Sequence, residues 1–158
     1  MALLPLAVAT PILLWIAWTD FWYMRIRNGA VLAAVAVFAL TVPAIGLTEA
    51  GLRVLAAAAV FTVGFGLFAA RLVGGGDLKM GSALLLFIPS QTYTLFAFVF
   101  SAAMLAGMAL ILAMRKVPAV RKSGAVSMRA AGTFPMGVAL ALSGVAHLVL
   151  LAALQAGP

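Results

Sequence analysis

Cysteine is absent from this 158-residue chain, and histidine occurs once, as His147. The first absence excludes disulfides, thiol catalysis and cysteine-ligated zinc; the second leaves too few nitrogen ligands for a zinc or iron site built from protein alone. No metal and no cofactor is expected. Charge is scarce too: 8% of residues are charged, three of them acidic, while 66% are hydrophobic. A soluble domain of this size needs far more charge to cover its surface. The chain must therefore face lipid or other apolar helices along most of its length. At about 20 apolar residues per span it holds roughly five or six spans, so one membrane domain over the whole chain is expected, with no separate soluble domain. No basic residue precedes the first apolar run, so no cleavable leader is expected.

What is present is a series of apolar segments, from about Ala2 to Thr19, Gly29 to Leu47, Leu52 to Val73, Met80 to Pro89, Tyr93 to Met114, and Thr133 to Leu154. The runs are continuous rather than alternating, which argues against a membrane β-barrel. A single helix from Met80 to Met114 would be about 52 Å long, well over the hydrocarbon thickness. Ile88-Pro89-Ser90-Gln91-Thr92 supplies a break, because proline lacks a donor and disfavours helix before it. The expectation is an all-α, polytopic bundle of about six transmembrane helices, with a short fourth one.

A net charge of +7 invites a nucleic-acid reading, but the distribution excludes it. The gaps at 20–28, 71–79 and 115–132 hold Arg25, Arg27, Arg71, Lys79, Arg115, Lys116, Arg121, Lys122 and Arg129, whereas the opposite gaps hold only Arg53. That asymmetry is a positive-inside signal, placing the three basic gaps in the cytoplasm and both termini outside. Trp18, Trp22 and Tyr23 flank the first gap as an interfacial aromatic belt would. The basic 115–132 loop reads as a topology signal with attraction for anionic lipids.

The acidic residues are Asp20, Glu49 and Asp77. Glu49 lies in an external gap four residues before Arg53 and reads as a solvated charge with a helix-surface partner. Asp20 and Asp77 are 57 positions apart, yet both fall at helix ends on the same predicted side. Two carboxylates brought together share a proton, because like charges at close range do not both ionise readily. The ionised member can take a proton from water while the protonated one polarises a peptide carbonyl. Taken singly, each has a commoner structural reading: Asp77 as a helix N-cap after glycines, Asp20 as an interfacial partner of Arg25.

The residues around these acids resemble the prepilin peptidases, polytopic membrane proteases with a GxGD motif. Gly74-Gly75-Gly76-Asp77-Leu78-Lys79-Met80 looks like their second catalytic motif. Asp20 to Asn28 looks like the first, with Ile26-Arg27-Asn28 where Ile-Pro-Asn is usual. Phe134-Pro135-Met136-Gly137-Val138-Ala139 is similar to the sequence opening the last helix, with methionine in place of an aromatic. The resemblance implies a plasma-membrane endopeptidase that removes a basic leader from prepilin or pseudopilin-like proteins. Asp20 and Asp77 would form its dyad, with Gly74, Gly76, Lys79, Asn28, Pro135 and Gly137 near the substrate. The compact form looks most like peptidases of tight-adherence, Flp-type pili, with archaeal preflagellin peptidases a nearby alternative. Without the cysteine-bearing cytoplasmic domain of longer relatives, cleavage without methylation is expected.

Ordinary roles stand beside these: Asn28 as N-cap of the second helix, Pro135 as a helix starter, His147 as a hydrogen-bonded packing residue. Two other classes of function compete. A small transporter or channel would carry its acids at mid-span. A non-catalytic pilus-assembly subunit would tolerate loss of either carboxylate.

Overall fold

The computed structural model describes residues 3–121, 123–130 and 132–156; Ala2 and Lys122, named above, lie outside them. The elements are α1 (Leu4–Tyr23), α2 (Asn28–Ile45), α3 (Leu47–Ala69), α4 (Gly75–Leu85), a 3-10 turn (Ser90–Thr92), α5 (Tyr93–Lys116), the short α6 (Pro118–Arg121) and α7 (Val126–Arg129), and α8 (Met136–Ala156). Five of these helices are long and apolar enough to cross a membrane. Together they form a polytopic helical bundle, with α4 as a sixth, shorter piece.

Helix α1 packs chiefly on α8 and also on α2, α5 packs on α8, and α4 lies against α3. Leu6, Leu13 and Ile16 of α1, Met80 and Leu84 of α4, and Phe87 and Ile88 beyond it are fully enclosed. Leu40, Val63, Phe98 and Leu105 point outward and are exposed, the inverse of a soluble protein's surface and the expected face toward lipid.

In backbone and packing, sequence and structure differ at several places. Helix α4 begins at Gly75 rather than Met80, so Asp77 and Lys79 lie in a helix, not a gap. Glycine is a poor helix former, but here it meets neighbours: a Cβ at Gly75 would lie 3.2 Å from the Phe68 ring, and one at Gly76 would lie 3.2 Å from Ile26 Cβ. Tertiary packing overrides propensity. Asn28 is not the cap of α2; Arg27 holds that position and Asn28 is the first helical residue. Glu49 is not a solvated loop charge but lies in the first turn of α3, because Gly46, at φ +83, turns the chain within one residue of α2. The 117–135 connection is only partly a solvated loop: Ala125 and Met128 pack with Ile111, Phe21, Trp22 and Phe134 in a second apolar cluster.

Candidate active site

Asp20 stands in the last turn of α1 and is buried. That helix ends at Met24, whose left-handed backbone (φ 50) returns its N–H to the Asp20 carbonyl at 2.8 Å. The carboxylate does not pair with Arg25. Its Oδ2 accepts the N–H of Gly137, 117 residues away, at 2.7 Å. Gly137 is in the first turn of α8, where backbone N–H groups have no helical acceptor and the helix dipole favours negative charge. Only glycine fits there: a Cβ would lie 2.9 Å from Asp20 Cβ, 3.0 Å from its Oδ2 and 3.1 Å from Ile16 Cγ2. Pro135 sits just ahead of α8 and is buried.

Asp77 is the third residue of α4, and Gly74, in extended backbone, holds the cap position with no side-chain capping bond. The aspartate is therefore not the N-cap. Its Oδ2 folds back toward Gly74, where a Cβ would stand 2.6 Å away. Asp77 is half-buried and lies outside the five long helices. Burial first, and the charge of Asp20 second, push its pKa up to about 6. The Asp20 charge thus lies near enough to Asp77 to act on its titration. Among the described residues neither has a cationic partner, the Glu49–Arg53 pair being the ion pair there.

The surrounding candidates fall at the same end. Lys79 Nζ donates to Asn28 Oδ1 at 3.2 Å, tying α4 to the start of α2. Gly76 abuts Ile26 in the α1–α2 turn. Arg115, named only as a topology charge, is structural: Nε and Nη2 donate to the Ser127 carbonyl at 3.0 and 2.6 Å, and Nη2 to the Thr133 carbonyl at 2.7 Å. It thereby fixes the segment leading to Gly137. From Asp77 an apolar cavity of about 370 Å³ extends along α4, with Gly64 and Leu67 of α3 on one side and Phe96 and Phe100 of α5 on the other.

His147 is remote from the carboxylates. Its Nε2 shares a hydrogen bond with Thr92 Oγ1 at 3.0 Å, and its ring meets Phe96 edge-on at 5.3 Å, a packing role. Among the described residues no three His, Asp or Glu side chains converge in a way that could hold a metal ion. All three acids occupy the first or last turn of a helix, none the middle, contrary to what a proton-relay transporter needs.

Fold and site define a multi-pass helical membrane protein with two neighbouring carboxylates at one end of the bundle. The model of the type IV leader peptidase family matches residues 7–112, more than half of the chain, and the chain belongs to that family. The matched region contains both aspartates and the glycine run, and ends before Pro135 and Gly137. No curated protein and no solved structure matches the chain.

Proposed function

We propose that this peptidase is an aspartyl endopeptidase that removes the basic leader of prepilin-like proteins at the cytoplasmic face of the plasma membrane, with Asp20 and Asp77 as its dyad. The observation that carries the reading is the placement of Asp20, held by the Gly137 N–H at the end of α1, and Asp77, in the first turn of α4, close enough for the Asp20 charge to help raise the Asp77 pKa. A carboxyl that titrates near 6 beside a second carboxylate suits a pair that holds one proton near neutral pH.

In the proposed cycle, the ionised member of the dyad takes a proton from water as the water oxygen attacks the scissile carbonyl carbon. The protonated member donates a hydrogen bond to the carbonyl oxygen, and a tetrahedral oxyanion stabilised by that hydrogen bond forms. The proton taken from water passes to the leaving nitrogen, the C–N bond breaks, and a new carboxyl and a free amine result. Asp20 is oriented by the Gly137 N–H, and Asp77, with its pKa pushed up to about 6, can exchange a proton close to neutral pH. Gly74, exposed just ahead of α4, leaves backbone uncovered for a substrate chain to approach. Excess positive charge at this end supports the cytoplasmic assignment.

The test is co-expression with candidate pilins, comparing wild type with Asp20→Asn and Asp77→Asn. Each substitution is expected to lower cleavage by about a thousandfold or more while the protein still inserts, as loss of a general acid or base does. Normal processing by either variant would refute the dyad. Strong inhibition by a chelator would point instead to metal-assisted hydrolysis.

A further inference from the structure

At the other end of the bundle lies a polar cluster around the buried Arg53 that the proposed reaction does not use. Helix α4 stops inside the protein: beyond Leu85 the N–H groups of Leu86, Phe87 and Ile88 reach back only to Ala83, Leu84 and Leu85, and Pro89 ends the run. The carbonyls of Leu86 and Phe87 then need donor partners away from water, since Phe87 and Ile88 are fully enclosed. Arg53 supplies them. It is 0% exposed, and its Nη1 donates to the Leu86 carbonyl at 3.5 Å and to the Phe87 carbonyl at 3.3 Å. Its Nε donates to Glu49 Oε1 at 2.8 Å. Glu49 also accepts the Ser90 N–H at 2.8 Å and the Ser90 hydroxyl at 2.6 Å.

Arg53 and Glu49 both belong to the first turns of α3, so the C-terminal end of α4 and the turn after it are bonded to α3 on both sides. A guanidinium at the negative end of a helix dipole is favourably placed, and its planar fork serves three acceptors at once. An α-helix is stiff along its axis, and Asp77 lies nine residues from Leu86, about 14 Å at 1.5 Å per residue. Moving this end of α4 moves the other.

We propose that Glu49, Arg53 and Ser90 form a clamp that positions Asp77, setting how far α4 advances toward Asp20. The three are positioning residues, and the inference rests on reading Asp77 as half of the dyad. Lysine at 53 keeps the charge but not the fork, so Arg53→Lys loosens the clamp. Ser90→Ala removes only the hydroxyl bond.

The test uses the full chain in membranes and two independent readouts. The first is cleavage kinetics. Arg53→Lys is expected to lower kcat about tenfold and Ser90→Ala about threefold with KM unchanged, a loss on the scale that sub-ångström misplacement of a reacting group produces. The basic limb of the kcat–pH profile should also move to lower pH as Asp77 leaves Asp20. The second readout needs no activity. Because the chain has no cysteine, an Ile26→Cys/Gly76→Cys pair reports the register of α4, a Cβ at 76 lying 3.2 Å from Ile26 Cβ. Disulfide formation should be several-fold slower when either clamp substitution is added.

Unchanged kcat, pH profile and cross-linking rate would overturn the clamp. So would a reduced amount of folded protein with normal kcat per folded molecule, which would make the cluster a stability element alone. Should the wild type cleave no pilin, the dyad reading fails, and cross-linking still decides whether the cluster fixes α4.

Discussion

The two ends of α4 use the same kind of residue in opposite ways. At one end, Glu49 is saturated: two oxygens accept from Arg53 and Ser90, and the cation is wholly enclosed. At the other, Asp20 accepts a backbone N–H and Asp77 folds toward its own cap, with no cation paired to either among the described residues. A carboxylate bonded to an enclosed cation is a structural tie. Two carboxylates, one buried and one half-buried, within reach of each other's charge and without a cation are held in a state that folding alone does not favour. The difference separates the acid that builds the bundle from the two that can do chemistry.

Substitutions should break this contrast with opposite signs. The largest stability effect belongs to the saturated end: Arg53→Met leaves Glu49 without its cation and the Leu86 and Phe87 carbonyls without their guanidinium donor. It should destabilise the protein by about 3–5 kcal/mol, as removing one partner of a buried pair does, read as lost accumulation or a lower Tm in detergent. Next comes Gly137→Ala. Its methyl has no room beside Asp20, so the carboxylate or the start of α8 must shift, and cleavage should fall by about a hundredfold with the protein still folded; near-normal kcat would show that the Gly137–Asp20 contact does not matter.

Smaller effects sharpen the site itself. Asp77 binds its proton more tightly folded than unfolded, so its contribution is full at low pH and is lost as pH rises from about 3.8 to about 6. At neutral pH its charge therefore costs stability, and Asp77→Asn should stabilise the fold by about 1 kcal/mol after allowance for solvent screening. A melting temperature that falls instead would contradict this. Lys79→Ala removes an exposed hydrogen bond to Asn28 and should change cleavage by about threefold or less.

Much of this architecture is legible from local pattern. Apolar run length marks the long helices, Pro89 marks the break after α4, and the scarcity of acids singles out Asp20 and Asp77. What local pattern does not encode is the long-range partner. Nothing near Glu49 or Arg53 in sequence indicates that α4 will end against them more than thirty residues later. Asn28 has the composition of a cap, yet its amide is engaged by Lys79, 51 residues away. The glycines at 75 and 76 read as a loop because propensity ignores the Phe68 ring and Ile26 that exclude larger residues. Gly137 was legible as a motif position, while its bond to Asp20 depends on how α8 meets α1.

Asp20 and Asp77 are the chain's two aspartates, so carboxyl-13C aspartate labelling yields one signal from each. Followed by NMR against pH, the Asp77 signal should titrate near 6 in the wild type and at lower pH in Asp20→Asn, where the neighbouring charge is gone. An Asp77 titration that is the same in both proteins, or that already lies at the ordinary aspartate value in the wild type, would contradict a shared proton.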